Sequence, residues 1–146
     1  MRMLILQHSV QHYRIELLNA LATKVELIVC CVKHCATEKC VYKLEVFEEV
    51  RILGVSVWVG LIRFLREQSD WCIVVGDDLQ NISLPFFRVA LPQRKLIWWG
   101  ATRPANLFKR TVKKCLIRRG DIFVFYDHSY ASESKVRHFF RIGNCL

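Results

Sequence analysis

Apolar residues recur along the chain in short runs, separated by stretches with helical spacing. MLIL at 3–6 reads as a first strand, and RIELLNALAT at 14–23 as a helix with Ile15, Leu18, Leu21 and Ala22 on one face. VELIVCCV at 25–32 is apolar at nearly every position, as a strand covered on both faces of a parallel sheet must be. Residues 33–43 read as a polar excursion, and 46–57 as the stretch holding a third strand, with Gly54 ending it. Trp58, Leu61, Ile62 and Leu65 recur at i, i+3, i+4 and i+7, which predicts a helix laid on the sheet. Residues 71–75, 95–99 and 121–126 supply three more strands, the first two closed by Gly76 and Gly100. Ser83 is placed to cap a helix with Pro85 in its first turn, and Thr102 opens a long one with Pro104 in its first turn. A last helix is expected over 131–142, ahead of Gly143. Together the alternation predicts a single α/β domain over residues 1–146: a Rossmann-like open, mostly parallel sheet of about six strands with helices on both faces.

Composition narrows the class. The chain is 53% hydrophobic and 24% charged, which supports a packed core. No apolar run approaches the roughly 18 residues needed to cross a bilayer. The apolar stretch before Gln7 and His8 is too brief for a signal peptide, so the expected location is the cytoplasm. Cys30, Cys31 and Cys72 lie in strand-like runs and read as small buried hydrophobes in a reducing compartment. His34, Cys35 and Cys40 form one local group, but no second ligand pair follows, so no metal site is expected. The net charge is +9, and between residues 88 and 141 thirteen Lys/Arg face three acids. A field of that kind attracts nucleic acid, anionic membrane or phosphorylated substrates.

Ligands of open α/β sheets collect beyond the carboxyl ends of the strands. Those ends fall at 7–13, 33–37, 76–81, 100–103 and 127–130. The first turn reads QHSVQHYR and holds no glycine, and no P-loop, G-x-S-x-G or H-E-x-x-H occurs, so no nucleotide or other cofactor is implied. His8 and His12 flank the first turn, Asp77–Asp78 and His128 lie at two others, and a histidine beside a carboxylate can serve as a general base. Local hydrogen bonding and turn capping are the plain alternative for each. Lys109, Arg110, Lys113, Lys114 and Arg118 share one face of the helix after Thr102, with Trp98 and Trp99 ahead of it, a combination suited to an anionic membrane surface.

The order of these segments resembles the N-terminal, acceptor-side half of the GT-B glycosyltransferases of the glycogen-synthase-like superfamily. His12-Tyr13-Arg14 through Leu17, Asn19 and Leu21 is similar to their Y-R-x-x-L-x-N-x-L stretch after the first strand. DWCIVVG at 70–76 resembles their fourth strand, KLIWWGATRP at 95–104 their Trp-Gly strand, and 121–143 the strand and helix that end the domain. The family often carries a histidine after that Trp-Gly, where this chain has Ala101 and Thr102. The resemblance implies acceptor binding by His8, His12, Tyr13, Arg14, Asp77, Thr102, Arg103 and His128. It further implies a role in cell-surface polysaccharide or glycolipid synthesis and a saccharide or lipid-linked acceptor, the chain being either a fragment of such an enzyme or one subunit that docks to a separate donor-domain subunit. The 146 residues are then expected to be inactive alone, because transfer needs donor and acceptor held in one closed cleft. Peripheral attachment to the inner face of the membrane is compatible with the basic surface. A basic module for nucleic acid is the rival reading, against which stands the lack of any RNA-recognition, KH or helix-turn-helix motif. A response-regulator-like module would need an acidic cluster where this chain has Gln7 and His8.

Overall fold

A five-residue apolar strand, β1 (Arg2–Leu6), starts the fold and becomes completely buried over Leu4, Ile5 and Leu6. The computed structural model describes residues 1–34, 39–52, 55–76, 90–101, 121–125 and 139–141. The chain divides into two compact units, Met1–Ile73 and Val74–Leu146. The fold is a small α/β one, with a mostly parallel sheet.

In the first unit β1 leads through a two-residue strand, β2 (Ser9–Val10), into helix α1 (His12–Ala22). The helix begins two residues earlier than the periodicity indicates, and it buries Ile15 and Leu18 from the expected face. β3 (Glu26–Cys31) then pairs parallel with β1, Leu4 opposite Ile28 and Leu6 opposite Cys30. Its five residues from Leu27 to Cys31 are all buried, as the unbroken apolar run requires. The excursion over 33–43 contains a short strand, β4 (Lys33–His34), which pairs parallel with β2 and sets His34 opposite Val10.

The third parallel strand comes earlier than expected. β5 (Lys43–Val46) pairs with β3, and residues 49–58 form an antiparallel pair, β6 (Glu49–Ile52) and β7 (Val55–Trp58). Glu49 stands opposite Trp58 and Arg51 opposite Ser56, so these four share one face of the pair. Val50, Ile52 and Val57 take the other face and are exposed. Trp58 is buried and stacks on Phe47 with ring centres 6.0 Å apart, and Phe47 meets Phe64 edge-on at 5.6 Å. Phe64 lies on α2 (Leu61–Glu67), so three aromatic rings fasten the β6–β7 pair to that helix. Trp58 itself belongs to β7 and not to the helix its spacing suggested. Gly60 precedes α2 at φ +78°, a left-handed conformation that a side chain would strain. The first unit's parallel strands thus run in the order β1-β3-β5, and β8 (Cys72–Gly76) contains the boundary between the units.

In the second unit β9 (Leu96–Ala101), β10 (Ile122–Phe125) and β11 (Phe139–Arg141) pair in parallel in that order. Gly100 lies inside β9 instead of ending it. β11 replaces the end of the helix expected over 131–142, because Phe139 and Phe140 are bulky aromatics that suit a pleated strand. Leu96 and Trp98 are fully buried. Asp121 ties the starts of two strands together: its side chain accepts from the Leu96 N–H at 2.8 Å, and its own N–H donates to the Leu96 carbonyl at 3.0 Å. The helices expected after Ser83 and Thr102 lie outside the described residues.

Candidate functional site at the end of the first strand

The carboxyl end of β1 carries Gln7 and His8. The backbone there is pinned to the next strand: Gln7 N–H donates to the Cys30 carbonyl at 3.0 Å, and the His8 carbonyl accepts from both Val32 and Lys33 at 3.1 Å. Gln7 is the one polar side chain fully buried among the described residues, and neither its amide oxygen nor its amide nitrogen has a hydrogen-bond partner among them. A buried amide left unpaired costs about 1–3 kcal/mol.

His8 is held from across the unit. Its Nε2 lies 3.2 and 3.3 Å from the two carboxylate oxygens of Glu49 on β6, and the two side chains are 31% and 16% exposed. Ser56 on β7 donates its hydroxyl to the same carboxylate, across the diagonal of the β6–β7 pair. That hydroxyl is the main reason the Glu49 carboxyl lies below the ordinary carboxylate range; partial withdrawal from water opposes the shift, and His8 and then Arg51 add to it. With an ionised carboxylate facing Nε2, that nitrogen is the donor of the pair. A carboxylate orienting an imidazole in this way prepares the histidine to accept a proton.

Four residues after His8, beyond β2, α1 opens with His12, Tyr13 and Arg14. The His12 and Tyr13 rings meet edge to face at 5.8 Å, and the Arg14 guanidinium lies over the Tyr13 ring at 5.7 Å. Tyr13 is 64% exposed. An exposed phenol ring backed by a guanidinium offers a flat apolar face with polar groups around it.

Of the residues expected at a site, His8 follows β1 and pairs with Glu49, while His12, Tyr13 and Arg14 open α1 and contact one another. Asp77, Thr102, Arg103 and His128 lie outside the described residues, as do Lys109, Arg110, Lys113, Lys114 and Arg118. Gln7, Glu49 and Ser56 were not singled out by motif. The signal for Glu49 and Ser56 is the alternation E-V-R-I and V-S-V-W on either side of Gly54, which is a hairpin pattern with polar residues on one face. Asn19, part of the Y-R-x-x-L-x-N-x-L stretch, does structural work: its Nδ2 donates to the Lys39 carbonyl at 3.1 Å, and its Oδ1 accepts from Val41 N–H at 2.8 Å.

Among the described residues no group of three or more metal-ligating side chains is assembled, and no helix is long and apolar enough to cross a membrane. Comparison with family models, with curated proteins and with solved structures finds no match to this chain.

Proposed function

We propose that the chain is the acceptor-side domain of a glycosyltransferase, with a Rossmann-like open sheet carrying helices on both faces. Its acceptor is a saccharide, free or lipid-linked, bound at the carboxyl end of β1. The observation that carries this reading is the pairing at one strand end of a buried, unsatisfied Gln7 amide with His8 oriented by Glu49. A sugar hydroxyl both donates and accepts, which is what the Gln7 amide requires. In this reading His8 accepts the proton of the attacking acceptor hydroxyl, and Tyr13 provides a stacking surface for the ring. His12 and Arg14, in the first turn of α1, are assigned to acceptor binding by the family resemblance, as are Asp77, Thr102, Arg103 and His128. Transfer itself requires a nucleotide-sugar domain facing the acceptor, since proximity is the larger part of such catalysis.

A panel of neutral and phosphorylated saccharides, screened for binding to the full chain, tests the reading. Binding that is lost in both His8→Ala and Gln7→Leu supports it; binding unchanged by either, or no saccharide bound at all, contradicts it.

A second reading is favoured by the charge distribution. Residues 1–73 hold nine Lys/Arg against eight Asp/Glu, whereas residues 74–146 hold thirteen against five. This excess suits an anionic membrane surface, where Lys109, Arg110, Lys113, Lys114 and Arg118 would act, and peripheral attachment at the inner face of the membrane. Sedimentation with phosphatidylserine vesicles, lost at high salt, supports that role; equal sedimentation with neutral vesicles contradicts it.

A further inference from the structure

A second cluster in the first unit plays no part in the β1 site. Cys40 Sγ lies 3.4 Å from Nε2 of His34, and both residues are half-buried. Each partner is fixed by its own support. His34 belongs to β4, whose pairing with β2 places it opposite Val10. Cys40 lies between the two residues that Asn19 grips, Lys39 through its carbonyl and Val41 through its N–H. A helix side chain therefore holds the backbone on both sides of the cysteine, and the thiol remains within reach of solvent.

The neighbouring cysteines are built differently. Cys30 and Cys31 are fully buried in β3 and lie outside any disulfide. Burial pushes the Cys31 thiol up to about 11, with the nearby Cys40 adding to the shift, and burial pushes Cys30 higher still. Those two thiols stay protonated and shielded, which is the condition of an inert structural cysteine. The Cys40 thiol combines partial exposure with an imidazole nitrogen at hydrogen-bond distance, the arrangement that turns a thiol into a nucleophile.

We propose that Cys40, paired with His34, is a reactive thiol and a site of reversible modification by low-molecular-weight disulfides. In the step, the Cys40 proton passes to His34 Nε2, and the thiolate attacks one sulfur of the disulfide. A new bond forms from Cys40 Sγ to that sulfur as the original sulfur–sulfur bond breaks. The departing thiolate takes the proton back from His34. Cys40 is oxidised to a mixed disulfide, the leaving half of the reagent is reduced to its thiol, and no other reactant is needed. The substituent enters between Lys39 and Val41, so it presses on the Asn19 clamp and links the redox state of Cys40 to the seating of α1.

The test uses the full chain and oxidised glutathione at neutral pH, with mass-spectrometric mapping of every cysteine over time. Cys40 in the folded protein is expected to react about tenfold faster than Cys40 in the urea-unfolded chain, because only the folded state holds the imidazole against the sulfur. Cys30 and Cys31 are expected to react more slowly folded than unfolded. His34→Gln is expected to bring Cys40 down to the unfolded rate, with its urea midpoint confirming that the variant is folded. Equal rates for Cys40 in the folded and unfolded wild-type chain overturn the proposal without recourse to any variant. So does a folded His34→Gln protein that reacts as fast as wild type.

Discussion

Replacing Asn19 by alanine tests whether the Y-R-x-x-L-x-N-x-L stretch is a binding element or a structural clamp at that position. The amide makes two bonds to backbone, to the Lys39 carbonyl at 3.1 Å and from the Val41 N–H at 2.8 Å. Each bond contributes about 1 kcal/mol net, so Asn19→Ala loses about 2 kcal/mol. Alanine is the better helix former, and this returns about 0.6 kcal/mol in α1. A net destabilisation of about 1.4 kcal/mol is expected, a tenfold change in the unfolding equilibrium constant. Urea unfolding followed by circular dichroism reads it as a lower midpoint at unchanged slope. Amide hydrogen exchange gives a local check: Val41 should lose more protection than Val29 in β3, whose amide feels only the global change. If helix propensity alone is at work, the midpoint rises. A raised midpoint with Val41 protection intact refutes the clamp.

Substitutions at two further positions probe the β6–β7 pair and its connection to α2. Because the Glu49 carboxyl lies below its ordinary value of 4.5, mainly through the Ser56 hydroxyl, it adds stability at neutral pH that disappears as pH falls through its lowered folded value. Glu49→Gln should therefore be less stable than wild type at pH above that ordinary value and converge with it in acid, as read from urea midpoints across the pH range; parallel curves would show that the carboxylate is not stabilised by folding. Gly60→Ala should cost about 1–2 kcal/mol from backbone strain alone, since an added Cβ at φ +78° meets nothing within 4 Å, and Gly60→Asn should cost less because asparagine tolerates that conformation. Equal losses for the two variants would place the cause elsewhere.

The elements that were legible in the sequence are those where one periodicity holds without competition. β3 is an apolar run, α1 repeats at Ile15 and Leu18, and β8 is a short apolar run closed by Gly76. The β6–β7 pair was hidden because its apolar side chains face outward: Val50, Ile52 and Val57 are exposed, so their alternation points away from the core. Reading inward from hydrophobic residues therefore put one strand where there are two. β11 was missed because helical spacing over 131–142 masked the strand preference of Phe139 and Phe140.

The candidate site divides in the same way. His8, His12, Tyr13 and Arg14 follow from the rule that ligands gather at strand ends, which needs only the position of β1. Glu49 does not, because its contact with His8 spans 41 residues and depends on a hairpin whose register no local pattern fixes. Gln7 carries no motif at all. Its importance comes from complete burial without a partner, a property of packing and not of residue order.

The account rests most directly on where a saccharide binds. A two-dimensional amide NMR titration of the full chain with the tightest-binding saccharide of the panel, repeated on Gln7→Leu, measures this. The account predicts shifts centred on Gln7, His8 and Tyr13, a response at the Gln7 side-chain amide, and loss of these changes in the variant. Shifts confined to residues 74–146, or shifts at Gln7 and His8 that persist unchanged in Gln7→Leu, would contradict it.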